Sequence, residues 1–143
     1  MKFNKKDLKT LTNIIASRRD VRGNNFINKK ISSKKLNIIL QSALNAPSVG
    51  FSQPWKFIIV DKDKQDLVYT HFKKSFEKSK KKFIDRPLYS SLKLEGIKES
   101  DINIVVYYKK SSSNTLGQTY MKRTGEYSVV CAILNMWLTA RAL

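Results

Sequence analysis

Only two stretches of this chain have the composition of a β-strand, and a long helical interval separates them. Trp55–Val60 (Trp-Lys-Phe-Ile-Ile-Val) and residues 102–108 (Ile-Asn-Ile-Val-Val-Tyr-Tyr) are runs of β-branched and aromatic residues. Two strands among several helices are too few for a repeated parallel βαβ unit, so the class expected is α+β. The first run is apolar enough to be buried on much of both faces. Leu8, Leu11, Ile14 and Ile15 recur at helical spacing in a stripe that runs up to Arg18-Arg19-Asp20-Val21-Arg22, and Gly23-Asn24-Asn25 breaks it. A second helix is expected from Ser33 as N-cap, with Leu36, Ile39, Leu40, Ala43 and Leu44 inward. It must end before Pro47, because a proline pushes the preceding residue out of helical geometry. Val68, Phe72 and Phe76 mark the packing side of a Lys-rich helix that closes near Asp85-Arg86-Pro87. Residues 111–125 lack periodicity and are rich in Ser, Thr, Asn and Gly, which predicts a loop or lid. From about Tyr127, the positions Val130, Ile133, Leu134, Trp137 and Leu138 mark an apolar helix. It reaches Leu143 with no stop signal, as a truncated chain would.

A length of 143 residues suits one domain, 1–143, with a core that needs no metal or disulfide staple. The single cysteine, Cys131, lies in the apolar stretch Val129-Val130-Cys131-Ala132-Ile133 and reads as a small hydrophobe. No apolar run approaches the ~20 residues of a membrane-spanning helix. The amino terminus is too polar for a secretory signal, so the expected compartment is the cytoplasm, without a membrane partner. Basic residues number 28 against 11 acidic ones, a net charge of +17. Of these, 22 are lysines scattered along the chain, whereas a nucleic-acid reader interleaves arginine with aromatic residues on one face. The densest run, residues 73–82, reads as the solvated side of its helix, and no specific nucleic-acid partner is expected. Weak attraction to polyanions at low salt follows from the field alone.

Familiar catalytic patterns are missing. There is no Gly-rich phosphate loop, no zinc-spaced Cys/His set and no nucleophile elbow. The one histidine, His71, falls inside the Lys-rich helix and reads as a surface or packing residue. Two segments stand out instead. Arg18, Arg19 and Arg22 place three guanidinium groups within five residues, able to grip a phosphate bidentately, with Asp20 between them to orient an arginine or take a proton. The same cations also suit a helix carboxy terminus, whose dipole favours them. The segment Ala46-Pro47-Ser48-Val49-Gly50-Phe51-Ser52-Gln53-Pro54-Trp55 is held by two prolines, and its Ser48 hydroxyl and Gln53 amide suit a planar polar ligand. It would equally serve as a rigid connector between helix and strand.

In this order and spacing, the two segments resemble the FMN-binding nitroreductase superfamily. The resemblance is to its flavin-fragmenting branch in particular. It is carried by Asp20 within Arg-Arg-Asp-Val-Arg, by Pro47-Ser48-Val49-Gly50-Phe51, by Ser91-Leu92-Lys93-Leu94-Glu95-Gly96-Ile97, and by residues 127–138 (Tyr-Ser-Val-Val-Cys-Ala-Ile-Leu-Asn-Met-Trp-Leu). The resemblance implies a central, mostly antiparallel sheet flanked by helices, here incomplete at the carboxy end, since family members continue with a Gly-rich turn, more sheet and an arm around a partner subunit. That further part carries a serine that assists the chemistry. The implied activity takes reduced FMN as substrate and molecular oxygen as co-substrate, and yields 5,6-dimethylbenzimidazole, the lower ligand of cobalamin, with erythrose 4-phosphate. The implied FMN-binding residues are Arg18, Arg19, Asp20, Val21, Arg22, Pro47, Ser48 and Lys93. Asp20 would be the catalytic acid/base, and Lys93 the cation near the polar edge of the flavin ring. A homodimer and a flavin reductase supplying reduced FMN are the implied partners, with no metal. The alternatives are an FMN-dependent NAD(P)H nitro or quinone reductase, which keeps its flavin, and a non-catalytic basic binding fragment.

Overall fold

The computed structural model describes residues 2–110, 117–118 and 120–143. The chain is α+β and divides into two compact units. One comprises Met1–Asp20, Ser32–Phe57 and Val106–Leu143, the other Val21–Ile31 and Ile58–Val105. Strands β1 (Trp55–Val60) and β2 (Asn103–Tyr108) pair in a two-stranded sheet. The bond from Lys109 N–H to Pro54 C=O, 2.7 Å, joins the start of one strand to the end of the other and makes the pair antiparallel. Each strand contributes residues to both units. Along β1, Trp55, Phe57 and Ile59 on one face are buried or half-buried, whereas on the other face Lys56 and Ile58 are exposed and only Val60 is buried, so the burial expected on much of both faces is met only at the end of the strand.

In the first unit, helix α1 (Lys5–Ser17) starts at a capping box. Asn4 Oδ1 accepts from the N–H groups of Lys6 (2.7 Å) and Asp7 (3.2 Å), and Asp7 Oδ2 accepts from Asn4 N–H. Helix α2 (Ser33–Leu44) is capped by Ser32, one residue earlier than expected, and packs on α6 (Thr124–Ala142). Ala43 and Ala132 are wholly buried there, with Ala46, Val129 and Met136 beside them. Most of the apolar stripe that marked α6 is turned outward. Val130 is 60% exposed, and Ile133, Leu134 and Trp137 are also uncovered, while Gly125, Ser128, Val129, Ala132 and Met136 are buried. The helix is apolar nearly all round, so periodicity offered two faces. The small residues won because they let the α2 and α6 axes approach closely enough to exclude water. The apolar stripe of α1 is likewise open at Leu8, Leu11 and Ile15, as is Leu44 of α2. Residues 111–116 and 119 of the loop or lid expected over 111–125 lie outside the described residues. Its last two positions belong to α6, where Arg123 Nε and Nη2 bond Glu126 Oε2 (2.8 and 2.7 Å) across the first turn.

The second unit is built on α3 (Gln65–Lys80), with the short helices α4 (Pro87–Ser90) and α5 (Gly96–Glu99). Gln65 is its largest buried side chain, and its Nε2 donates to the carbonyls of Ser100 (2.8 Å) and Asp101 (3.3 Å). Val68 and Phe76 are half-buried as the pattern requires, but Phe72 faces out. Tyr89 packs on Phe76 and Phe83, with ring centroids 5.5 and 4.9 Å apart. Helix α3 stops at Lys80 rather than near Asp85. The chain then runs through tight turns to Arg86, which Pro87 holds in non-helical geometry. Pro87 itself opens α4, where a missing N–H costs nothing.

Candidate functional site

Helix α1 ends one residue before the arginine segment. Arg18 is its C-cap, already extended at φ −62°, ψ 131°, with its N–H bonded to Ile14 C=O. The three guanidinium groups therefore do not crowd one helix face. Arg19 takes the structural task, its Nη1 donating at 2.7 Å to both Ala16 C=O and Arg18 C=O, carbonyls that the helix end leaves without amide partners. Arg18 turns towards α6, and its guanidinium carbon lies 4.2 Å from the centre of the Trp137 ring. Its side chain is 31% exposed, and the Asp20 carboxylate, 58% exposed, stands 3.8 Å away. One helical turn beyond Trp137, Arg141 Nε donates to Ser17 Oγ at 3.0 Å. Two side chains of α6 thus hold consecutive residues at the end of α1.

The Pro47–Ser48 loop belongs to the same unit and is pinned at several points. Ser48 Oγ accepts from Gln53 N–H (3.1 Å), leaving the hydroxyl proton for another acceptor, and Ser48 C=O accepts from Phe51 N–H (3.1 Å). Val49 N–H donates to Ser128 Oγ at 3.1 Å, and Ser128 in turn donates to Thr124 C=O at 2.8 Å. Between these anchors the backbone is left-handed at Gly50 (φ 52°), Phe51 (51°) and Gln53 (42°). Glycine adopts that geometry freely, but Phe51 and Gln53 do so at a cost the surrounding bonds must offset. The turn holds Phe51 out, 82% exposed.

Of the remaining candidates, Val21, Arg22 and Lys93 lie in the second unit. Arg22 is extended and exposed, and its C=O accepts from Asn25 N–H at 2.9 Å. Val21 lines a mostly apolar cavity of about 490 Å³ with Phe26, Ile27, Ile31, Glu99 and Ile102. Lys93 is exposed between α4 and α5. A second cavity lies along α2, and neither cavity is lined by Arg18, Asp20 or Ser48. His71 is exposed and Cys131 half-buried on α6. Trp137, Arg141 and Ser128 carry positioning roles that the sequence patterns did not assign. Arg141 and Ser17 stand 124 positions apart, beyond any local signal, whereas the small residues of α6 at 125, 128 and 132 were a legible sign of close packing.

An arginine over an aromatic ring and beside a carboxylate, with a pinned polar loop in the same unit, brings together chemistry that suits an anionic, partly planar ligand. The chain belongs to the Nitroreductase family, whose sequence pattern matches residues 15–143. Within that family it is similar to 5,6-dimethylbenzimidazole synthase of Rhodospirillum rubrum, with 35% identity over 87% of this chain and 61% of that protein. The synthase of the same name from Rhodobacter capsulatus is 29% identical over 99% of this chain and 70% of that one. Among solved structures, the nitroreductase with bound FMN from Bacteroides fragilis superposes with a TM-score of 0.69 at 25% identity, over 98% of this chain and 66% of that one. The chain therefore spans about three-fifths of the Rhodospirillum rubrum relative's length.

Proposed function

We propose that this chain carries the flavin-binding and acid/base part of an enzyme that fragments reduced FMN with molecular oxygen as oxidant, forming 5,6-dimethylbenzimidazole and erythrose 4-phosphate, with the pyrimidine part of the flavin ring leaving as a third fragment. The observation that carries the reading is Arg18. Its guanidinium carbon lies 4.2 Å from the centre of the Trp137 ring, its side chain is part-exposed, and the Asp20 carboxylate stands 3.8 Å from it. The donor set fits FMN in chemistry. Arginine forks match phosphate oxygens bidentately, and Arg18 would supply one, with the remaining donors of Arg19. Ser48 would donate its hydroxyl proton to a flavin or ribityl oxygen, and Pro47 would give the ring an apolar wall. When bound, FMN supplies the redox-active ring. Asp20, exposed beside Arg18, would hold or move a proton beside the ribityl chain.

Similarity to two synthases supports the fragmenting reaction over a flavin-retaining one. The likeness to an FMN-bound nitroreductase supports the second reading, an NAD(P)H-dependent nitro or quinone reductase. The reading treats residues 1–143 as part of one domain acting in a cytoplasmic homodimer, with the open apolar faces of α1 and α6 as contact surface and a flavin reductase as the source of reduced FMN. No helix among the described residues is long and apolar enough to cross a membrane. The test is to mix the chain with reduced FMN in air and assay small molecules by mass spectrometry. Dimethylbenzimidazole formation supports the fragmenting reaction. FMN recovered intact after NAD(P)H-driven nitro reduction favours the second reading.

A further inference from the structure

Helix α6 does more than close the core of its unit. Its inner face, Ala132 and Met136, is locked against α2, so the next outward positions stand on a rigid platform. Trp137 is one of them, 40% exposed, with Arg18 laid over its ring at 4.2 Å, and Arg141 ties down Ser17 one turn later. Arginine is a long, flexible side chain, and Asp20 at 3.8 Å is near enough to draw it into a closer ion pair. Such a pair would cover the carboxylate and occupy N–H groups needed for an anion. Contact with an indole, the strongest of the aromatic partners for a cation, restrains the guanidinium from a second side.

We infer that Trp137 is a positioning residue for phosphate recognition: it holds the Arg18 guanidinium over its ring and keeps the pairing with Asp20 to a long 3.8 Å contact, and so favours flavins bearing a terminal phosphate. The inference rests on the flavin reading above, with Arg18 as the phosphate ligand. Its test compares the affinities of the chain for FMN and for riboflavin, which lacks the phosphate, by quenching of flavin fluorescence. Trp137→Leu is expected to weaken FMN binding by roughly 10-fold while changing riboflavin binding less than about twofold, the size a partly desolvated cation–aromatic contact supports. Trp137→Phe, which keeps an aromatic face and the packing, is expected to recover most of the loss. In an Arg18→Ala background, Trp137→Leu should cost nothing further. Equal losses for FMN and riboflavin, or a full loss persisting without Arg18, would overturn the positioning role while leaving the flavin reading intact. A wild-type chain that binds FMN no better than riboflavin would overturn the phosphate role of Arg18, and this inference with it.

Discussion

Replacing Ser128 by alanine should loosen the loop that carries Pro47 and Ser48 without touching any proposed flavin ligand. Ser128 is buried, and its Oγ is the acceptor for Val49 N–H at 3.1 Å. Its own proton goes to Thr124 C=O within α6, a bond local to the helix whose loss matters little. The substitution therefore orphans one backbone donor in a half-buried position. A fully buried unsatisfied donor costs about 1–3 kcal/mol, and partial access of water to Val49 puts this case at about 1–1.5 kcal/mol. For a chain of 143 residues the unfolding entropy is about 0.3 kcal/mol/K, so Tm should fall by roughly 3–5 °C. The loop also holds left-handed backbone at Phe51 and Gln53, which depends on such anchors, so FMN affinity should fall as well. Ser128→Thr keeps the hydroxyl and should retain most of both quantities. Calorimetry with flavin titration reads the two together. A Tm within about 1 °C of wild type, or an equal fall for threonine and alanine, would refute the anchoring role.

Asp20→Asn is expected to leave FMN bound, seen as unchanged fluorescence quenching, while dimethylbenzimidazole disappears from the mass spectrum; product formation by this variant would remove Asp20 from the acid/base role. Gly23→Ala should cost about 1–3 kcal/mol in urea denaturation, because its Cβ would stand 2.9 Å from Gly96 Cα, a backbone atom that cannot swing aside. Gly96→Ala should be nearly neutral, since the nearest neighbour of its Cβ is 3.6 Å away, and equal effects at the two glycines would contradict the packing. Lys98 donates to Asp66 Oδ1 at 2.7 Å, and this bond, with the charge of the carboxylate, raises its pKa above the ordinary lysine value. The stabilisation is then fully present below the unfolded lysine pKa and is lost as pH rises through the folded one. The stability difference between wild type and Lys98→Met should therefore shrink above about pH 10 and also shrink with added salt, both read from denaturation curves.

Local chemistry was enough to draw most of the elements. A β-branched run at Trp55–Val60, a proline at 47 and a helical stripe before a Gly-Asn-Asn break each act within a few residues, so strands and helices were legible, although α1 stops at Ser17 and α3 at Lys80, each about five residues short of the expected end. Spacing also singled out Arg18–Arg22 and the Pro47–Ser48 loop, because clustered guanidinium groups and paired prolines are local facts. What periodicity left open was which side of α6 faces inward. Val130, Ile133 and Leu134 are the more apolar set, but burial went to Gly125, Ser128, Val129, Ala132 and Met136. Hydrophobicity measures the gain from leaving water, whereas the distance between two helices is set by the smallest side chains at their contact, and that depends on the partner surface.

The arginines divided in the same way. Sequence presents Arg18 and Arg19 as equivalent cations, yet Arg19 closes the end of α1 on Ala16 C=O, and Arg18 rests on an indole from the far end of the chain. Amino-acid order alone determined that this chain is α+β, carries an excess of positive charge and holds a cluster of phosphate-matching groups near its start. Only the tertiary structure decided which guanidinium meets an indole and which closes the helix end, because that outcome depends on where Trp137 stands, and a contact between residues so far apart in sequence exists only once α6 has packed on α2.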